Sequence, residues 1–467
     1  MTLQHDVKQA MSVVTRALPH APPWNLATWG LERNADGELL RGDVKLAPLL
    51  EAHGSPLYVV DDERLAANAA RFLATPPGAA LGCEPYYSYK TNPVPGVLAR
   101  LDELGIGAEA ASPYELWLAL ELGVAPERIV YNGPSKSAES LRLAIGKGIG
   151  LINLNGREEI PVVASLAREL GRRPRVGIRV VVPGGRAGQF GEKIETGAAL
   201  DAFRRAKDRP ELEVVALHAH ANGEYGTREE LDAFARPLLA FADVLRVELG
   251  LALEILDFGG NLVCRTVAHY SQGDRRLAVT FGREPTPRPL ETVMTIDDYV
   301  AHLVGLVERH AAEQRIARPR IFIEPGRSLT GDAQMLLTRV HAIRGEDDAG
   351  LTWAVLDAGI NVAEPVPNEF HQLFELRPGS GPERLYRLTG PSCTLADQLY
   401  PAWTLPELAP GDGLAIMDAG AYFVSMSTCF SFPRPGVVSV RDGAVKVLRR
   451  PETYEDLVAR DLVVSVG

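Results

Sequence analysis

Hydrophobic residues recur along the chain as short apolar runs that alternate with longer amphipathic segments. Segments such as Pro113–Leu122, Ser137–Lys147 and Arg157–Leu170 have helical spacing. Eight apolar runs between them have the length of buried strands. These runs are Tyr86–Tyr89, Ile106–Ala111, Ile129–Tyr131, Leu151–Leu154, Val176–Val182, Val214–His218, Leu253–Phe258 and Ile321–Ile323. The alternation predicts an α/β fold with a (β/α)8 TIM barrel over residues 57–330, and a doubly wound open sheet is the alternative.

From residue 331 the pattern changes to short β-like runs separated by Gly, Pro and Asp, which predicts an all-β C-terminal domain over 331–467. The runs are Gln334–Ala342, Thr352–Leu356, Gly413–Ile416, Val437–Val440 and Val445–Leu448. Residues 1–24 are predicted to form a helical extension. Residues 25–56, with a hairpin turn at Asp36-Gly37, are predicted to pack with the β-domain. The polar interval 265–297 is too long for a βα connection and is interpreted as a loop or lid insertion.

Composition narrows the class of protein. A chain of 467 residues that is 46% hydrophobic can bury a large core, which fits two domains. A formal net charge of −11 argues against nucleic acid or an anionic membrane as the main partner, but a local pocket can still bind a phosphorylated cofactor. The four cysteines have no CxxC spacing, so reduced thiols in a cytoplasm are expected. The N-terminus lacks the apolar run of a secretory signal.

Lys90 ends the first predicted strand, within Pro85-Tyr-Tyr-Ser-Tyr-Lys-Thr-Asn-Pro93. A lysine directed into a barrel interior must be paired or neutralised, and a neutralised lysine is a Schiff-base nucleophile. The alternative is a lysine held by a carboxylate at the mouth of the strand.

Three later strand ends carry residues suited to a phosphorylated heteroaromatic cofactor. In Leu217-His-Ala-His220, a histidine could stack on a flat ring, the pair could ligate a metal, or either could be a core residue. The Gly259-Gly260 turn would let backbone N–H groups approach a phosphate. Glu324 could keep a pyridine nitrogen protonated and Arg327 could bind phosphate, with a plain ion pair as the alternative.

In the predicted β-domain, Cys393 follows Gly390-Pro-Ser392. On such a turn, its thiol could donate a proton to a reacting atom. The alternative is a small buried side chain.

Together these segments resemble the fold-type III pyridoxal-phosphate decarboxylases, the group that contains diaminopimelate, ornithine and arginine decarboxylases. The resemblance covers nearly the whole chain and implies an alanine-racemase-like barrel, a β-domain and a homodimer with shared active sites. The matching pieces, in order, are Tyr89-Lys-Thr-Asn92, Gly107-Ala-Glu-Ala-Ala-Ser112, Gln189-Phe-Gly191, His220 with Gly223, Asp257-Phe-Gly-Gly260, Glu324-Pro-Gly-Arg327, Gly390-Pro-Ser-Cys393 with Asp397, and Gly420-Ala-Tyr422.

The resemblance also implies a role for each matching residue. Lys90 would hold pyridoxal 5'-phosphate as an imine, His220 would stack on its ring, and Glu324 would bind the ring nitrogen. Glu109 matches an acidic position near the lysine, and Cys393 would come from the partner subunit to protonate the substrate carbon after CO2 is lost. The residues implied to bind the rest of the cofactor are Gly259, Gly260, Gly326, Arg327 and Tyr422.

Three positions depart from the family's pattern. After the cysteine, diaminopimelate decarboxylases have Glu and ornithine decarboxylases have Asp to contact the distal amine, whereas this chain has Thr394. The Arg-Pro-x-x-Tyr segment that contacts the distal carboxylate corresponds to Ala363–Phe370, which has no Arg. The Gly-Ser after the stacking histidine is Asn222-Gly223. The substrate-side candidates are Thr394, Asp397, Glu364 and Glu369.

These departures favour decarboxylation of a larger, side-chain-conjugated amino acid of a siderophore or antibiotic pathway, which would release CO2 and an amine. The alternatives are diaminopimelate decarboxylase proper, in lysine biosynthesis, and an amino-acid racemase of the same fold, in which an Arg is expected at the ring nitrogen. A non-catalytic pyridoxal-phosphate carrier is disfavoured by the second domain. A metal hydrolase built on His218 and His220 is disfavoured because a third ligand at recognisable spacing is missing.

Overall fold

The computed structural model describes residues 24–185, 188–221, 223–270, 273, 293–346 and 351–462. The predicted helix at 1–24 and most of the predicted insertion at 265–297 lie outside these residues. The chain divides into two compact units. The barrel unit takes in Ala66–Arg265 and Leu290–Leu329, and the β-rich unit takes in Met1–Leu65, Thr266–Pro289 and Thr330–Gly467, each through its described residues.

Eight parallel strands form a closed barrel within the described part of the barrel unit. Each strand pairs with the next along the chain, the eighth pairs with the first, and the ring therefore has no open edge. This confirms the predicted TIM barrel and rules out the open sheet. The strands are β1 (Glu84–Ser88), β2 (Gly107–Ala110), β3 (Ile129–Tyr131), β4 (Leu151–Leu154), β5 (Arg175–Val181), β6 (Glu213–Ala219), β7 (Ile255–Asp257) and β8 (Arg320–Ile323).

Helices follow the strands, as their apolar periodicity predicts. Several begin at a side-chain cap: Thr227 and Thr295 each form a capping box with the acidic residue three positions later. Among the described residues, no helix is both long enough and apolar enough to cross a membrane. The barrel helices are Asp62–Leu73, Pro95–Glu103, Pro113–Glu121, Ala138–Lys147, Glu159–Glu169, Ala198–Lys207, Arg228–Leu249, Ile296–Gln314 and the short Arg327–Thr330.

The barrel interior changes character along its axis. Toward the start of the strands it is filled by apolar side chains, including Tyr86, Val130, Leu151, Ile255 and Phe322. Polar and charged residues follow at the C-terminal strand ends. Active sites of TIM-barrel enzymes lie at this C-terminal face, so the fold places the chemistry-bearing residues of the sequence on one side of a packed core.

The β-rich unit contains a seven-strand path in its sheet, which extends the predicted all-β domain. The path runs through Gln398–Pro406, Glu383–Thr389, Thr352–Leu356, Gln334–Glu346, Leu57–Asp61, Gly436–Arg441 and Ala444–Arg449. Two of these strands, Glu383–Thr389 and Gln398–Pro406, were not predicted, because charged and proline residues interrupt their apolar alternation. The unit also contains the predicted strand Gly413–Ile416 and shorter strands at Ala268–His269, Glu369–Phe370 and Leu373–Glu375.

The strand Leu57–Asp61 corrects the predicted domain boundary. The sequence interpretation began the barrel at residue 57, but this strand pairs antiparallel with Gln334–Glu346 and parallel with Gly436–Arg441. All five of its residues are buried, so its unbroken apolar run resembles that of a parallel barrel strand. Ahead of it, Leu31–Arg33 and Leu39–Arg41 form the predicted hairpin around Asp36-Gly37.

Candidate active site

Lys90 stands at the mouth of the barrel and not in its interior. It lies in the turn Tyr89–Thr91 directly after β1, and 44% of its side chain is exposed. Its Nζ is 3.8 Å from Oε2 of Glu109 on β2. This is the carboxylate-held arrangement that the sequence left as the alternative, and it leaves the amine accessible to a carbonyl compound.

Glu109 is buried and multiply hydrogen bonded. Ser88 donates its hydroxyl to Oε2 at 2.5 Å, and Asn132 Nδ2 donates to Oε1 at 2.9 Å. Two donors and one nearby ammonium group replace the water that this carboxylate loses on burial. Glu109 is therefore fixed beneath Lys90.

Two asparagines connect this carboxylate to the far side of the barrel. Nδ2 of Asn132 also donates to Oε1 of Glu324 at 2.5 Å. Nδ2 of Asn153 donates to Oδ1 of Asn132 at 2.9 Å and to Oδ2 of Asp257 at 3.0 Å. One hydrogen-bonded network thus joins three buried carboxyl groups, and networks of this kind hold their members in a single arrangement.

Asn132, Asn153 and Asp257 were not predicted from the sequence to belong to the site. A signal was available: Asn153 and Asp257 are polar residues inside otherwise apolar strand runs of a barrel whose outer face is covered by helices. Gly177 on β5 leaves room for the side chain of Asn153, because a Cβ on Gly177 would lie 2.1 Å from Asn153 Oδ1.

Glu324 and Asp257 share one buried environment at the ends of β8 and β7, which are adjacent strands. Burial raises the pKa of Glu324 well above its usual range, and the Asp257 charge adds to the effect. Burial also raises the pKa of Asp257 to about 6. Two neighbouring buried carboxylates do not both ionise readily, so the pair keeps a shared proton to a higher pH than isolated carboxyl groups would.

His220 lies against the glycine turn that follows β7. A Cβ on Gly259 would approach its Cδ2 to 2.9 Å, and its Nδ1 is 3.1 Å from Asn261 Nδ2. Burial, together with the positive charge of Lys90, lowers the pKa of His220 to about 4. The ring is therefore uncharged at neutral pH and is suited to stacking on a flat heterocycle.

His218 occupies a different environment from His220. It is 1% exposed, and its Nε2 is 3.7 Å from Glu324 Oε1. One ring nitrogen of His218 and one oxygen each of Asp257 and Glu324 lie within 4.8 Å of one another. The metal hypothesis paired His218 with His220, whereas the structure groups His218 with these two carboxyl groups.

Glycines let the turns at the barrel mouth approach neighbouring protein atoms closely. A Cβ on Gly260 would lie 2.5 Å from the Glu324 carbonyl oxygen, and one on Gly326 would lie 2.5 Å from Thr91 Oγ1. The Glu324 N–H donates to the Gly259 carbonyl at 2.8 Å, so the glycine turn and the Glu324 turn are held together. This leaves a cradle of backbone beside His220, as a phosphate requires.

Arg327, the predicted phosphate ligand, begins the short helix Arg327–Thr330. Its side chain is 9% exposed, and its Nε lies 4.0 Å from Glu224 Oε1. An arginine so placed offers the fork of donors that suits phosphate.

The remaining predicted residues lie in the β-rich unit. Cys393 is a free, exposed cysteine, and Thr394 beside it is also exposed. Asp397 is buried, and its two oxygens accept the N–H groups of Ile360 at 2.8 Å and Ser392 at 2.7 Å. Both oxygens therefore hold the polypeptide of two loops, and the substrate contact of Asp397 stays a prediction.

The candidate acids for the substrate side differ in burial. Glu369 is buried, with His371 Nε2 3.3 Å from Oε2 and His269 Nδ1 3.3 Å from Oε1, so both of its oxygens already face histidines. Glu364 is half-buried. Tyr422 has a positive φ of 68°, which is an uncommon backbone conformation for a residue with a side chain.

Comparison with known proteins identifies the family. The protein-family model described as "pyridoxal-dependent decarboxylase, pyridoxal binding domain" matches residues 69–331, more than half of the chain. The chain belongs to this decarboxylase family. The decarboxylase is 32% identical over 440 residues to the diaminopimelate decarboxylase of Methanothermobacter thermautotrophicus, a match that covers 92% of this chain and 96% of that relative. It is 28% identical to the diaminopimelate decarboxylase of Aquifex aeolicus, over 91% and 96% of the two chains.

Solved structures agree with this assignment. The decarboxylase resembles the diaminopimelate decarboxylase of M. jannaschii in complex with L-lysine, with a TM-score of 0.82, 25% identity and coverage of 93% and 98% of the two chains. It resembles an Aquifex aeolicus protein with a TM-score of 0.78 and 27% identity, over 94% and 100% of the chains. It is thus a pyridoxal-phosphate-dependent amino-acid decarboxylase, and its barrel mouth fits that cofactor in having a lysine, an uncharged histidine and a glycine cradle.

Proposed function

We propose that the decarboxylase removes an α-carboxyl group from meso-diaminopimelate or a closely related diamino dicarboxylic acid. The observation that carries the proposal is similarity along almost the whole length of both chains to a diaminopimelate decarboxylase, 92% of this chain and 96% of the relative. This favours the substrate that the sequence analysis kept as an alternative over the conjugated amino acid of a siderophore or antibiotic pathway.

In this proposal each residue at the barrel mouth has one task. Lys90 would hold the cofactor through its side-chain nitrogen, and Glu109 would keep that nitrogen directed toward the mouth. His220 would cover one face of the ring, the Gly259-Gly260 turn and Arg327 would receive the phosphate, and Glu324 would contact the ring nitrogen. The bound cofactor supplies an electron sink for the pair left when CO2 departs.

The β-rich unit supplies the residues proposed for the later part of the reaction. Cys393 is exposed on a loop that Asp397 holds, and we assign it delivery of a proton to the α-carbon after CO2 is lost. The predicted homodimer, in which this cysteine serves the partner's site, and the predicted cytoplasmic location belong to the same proposal. A Cys393→Ala variant with full activity would remove the proton-donor role and leave the rest standing.

A second candidate substrate follows from Thr394. In the diaminopimelate decarboxylases this position is acidic and contacts the distal amine, but a threonine carries no charge to pair with an ammonium group. The missing Arg in Ala363–Phe370 has the same consequence for the distal carboxylate. Both changes favour an amino acid whose distal end is larger or is masked by conjugation.

A substrate competition separates the two candidates. We would measure kcat/KM for meso-diaminopimelate, ornithine, lysine, arginine and amino acids conjugated through the side chain, using Thr394→Glu and, as a matched control, Leu395→Glu on the same exposed loop. The proposal predicts that meso-diaminopimelate has the highest kcat/KM with the wild type. Thr394→Glu should raise kcat/KM for meso-diaminopimelate, whereas Leu395→Glu should not. Turnover of a conjugate alone would establish the second candidate.

A further inference from the structure

Among the described residues of the barrel interior, His218 is an exception to the usual pairing of buried polar groups. It is 1% exposed, and neither ring nitrogen has a hydrogen-bond partner. Buried polar atoms in native proteins are nearly always paired, so an unpaired imidazole in a packed core calls for a reason. Its Nε2 lies 3.7 Å from Oε1 of Glu324, slightly beyond hydrogen-bonding distance.

Strand pairing places His218 between residues of opposite charge. In the barrel register its neighbour on β5 is Arg179 and its neighbour on β7 is Asp257. Burial, followed by the positive charge of Arg179, holds the pKa of His218 well below its usual range, and Lys136, Lys90 and His220 act in the same direction. The imidazole is therefore neutral, and one of its nitrogens carries an N–H that it can donate without adding charge.

Glu324 is subject to two opposing influences. Asp257, next to it on β7, and Glu109, through Asn132, disfavour its ionised form because like charges repel in a buried site. Asn132 donates a hydrogen bond to Glu324 Oε1 and favours the ionised form. A donor from the side of His218 would shift the balance further toward the carboxylate.

We propose that His218 is a positioning residue that acts through Glu324 to set the protonation of the cofactor's ring nitrogen. The neutral imidazole donates its Nε2–H to Glu324 Oε1 when the ring nitrogen engages that carboxyl group. The carboxylate is then stabilised against Asp257, and the proton that Glu324 and the ring nitrogen share resides on the ring. The inference rests on pyridoxal phosphate binding at this site and not on which amino acid is decarboxylated.

The size of the effect follows from the strength of one charge-assisted hydrogen bond. Such a bond to a charged group shifts an equilibrium by roughly 10- to 100-fold, which is about one to two pH units. Removing the His218 donor is therefore expected to lower the apparent pKa of the ring nitrogen by that amount. Removing the Asp257 charge is expected to raise it.

The test is 15N NMR of the holoenzyme loaded with pyridoxal phosphate labelled at the ring nitrogen, recorded as a function of pH. We expect the ring nitrogen of His218→Phe to lose its proton roughly 10- to 100-fold more readily than that of the wild type. His218→Asn, which keeps an N–H donor, should restore much of the protonation, and so should Asp257→Asn added to His218→Phe. His302→Phe, which changes a histidine paired with Asp232 on a barrel helix, serves as the control.

The outcome decides the proposal in each case. A ring nitrogen in His218→Phe that titrates as in the wild type would overturn it, and so would failure of Asp257→Asn to raise the pKa of the ring. If Phe is not tolerated, Met fills a similar space without an N–H, and the same comparison with Asn applies. If the ring nitrogen titrates as predicted in the wild type and in the variants, but the enzyme decarboxylates none of the amino acids tested, the proposed function is contradicted and this inference is not.

Discussion

Asp397 provides a sharp test of whether a carboxylate in the β-rich unit contacts substrate or holds the protein together. Its oxygens accept the backbone N–H groups of Ile360 at 2.8 Å and Ser392 at 2.7 Å, and the side chain is 2% exposed. The site is closely fitted, because a Cβ on Gly359 would lie 2.6 Å from Oδ1 and one on Gly390 would lie 2.4 Å from it. We predict that Asp397→Asn lowers stability more than it lowers substrate affinity.

The magnitude follows from the two hydrogen bonds. Asparagine keeps one acceptor but presents an NH2 group to the other backbone N–H. One buried donor is then unpaired, at a cost of about 1–3 kcal/mol, and Asp397→Ala leaves both unpaired, at about 2–6 kcal/mol. A loss of this size is a large fraction of the free energy of unfolding of an ordinary domain.

The assay is denaturant unfolding, with amide hydrogen exchange followed in peptides that contain Ile360 and Ser392. Both amides should exchange faster in Asp397→Asn. Asp412→Asn is the matched control, because its carboxylate accepts one backbone N–H, that of Ala409 at 2.7 Å, in an exposed turn. Unchanged stability and exchange together with a raised KM would show that Asp397 binds substrate, as the sequence analysis expected.

Three further predictions concern the barrel. Lys90→Ala should abolish decarboxylation and leave no cofactor attached to the chain after borohydride reduction, as judged by mass spectrometry. Gly260→Ala forces a Cβ toward the Glu324 carbonyl oxygen, so kcat should fall about 100-fold, whereas Gly146→Ala, with nothing within 4 Å, should leave it unchanged. The pKa of Asp257 is raised to about 6, so as the pH falls the folded apoenzyme takes up this proton at a higher pH than the unfolded chain does. This proton uptake adds on the order of 3 kcal/mol to the free energy of unfolding as the pH falls from about 6 toward the ordinary Asp value. The stabilisation is absent above pH 6 and should be missing from the pH profile of unfolding of Asp257→Asn.

The barrel was predictable because its strands are buried on both faces and therefore form unbroken apolar runs. The same property caused the error at Leu57–Asp61, which is fully buried in the other unit and is indistinguishable from a barrel strand by its pattern. Glu383–Thr389 escaped prediction for the opposite reason: its exposed residues, Glu383 and Arg384, are charged, and its apolar alternation is weak.

The reactive residues of the site could be predicted from the sequence. The residues that only hold other side chains in place could not. Lys90, His220 and Glu324 follow strand ends in recognisable motifs. The hydrogen bonds that link Glu109 to Asp257 through Asn132 and Asn153 cross the barrel between β2, β4 and β7, which are not neighbours in the sheet. They can form only when the barrel closes. The burial of Asp397 likewise depends on loops that are distant in the chain.

The balance of products from a single substrate tests the proposed decarboxylation most directly. The holoenzyme would be incubated with meso-diaminopimelate, and CO2 and the amine product would be counted together, for the wild type and for Glu324→Gln. We predict one CO2 and one lysine for each diaminopimelate consumed, and a strong loss of turnover in Glu324→Gln with cofactor still bound. Consumption without CO2, through inversion of the α-carbon, would show that the protein acts as a racemase and would refute the proposed decarboxylation.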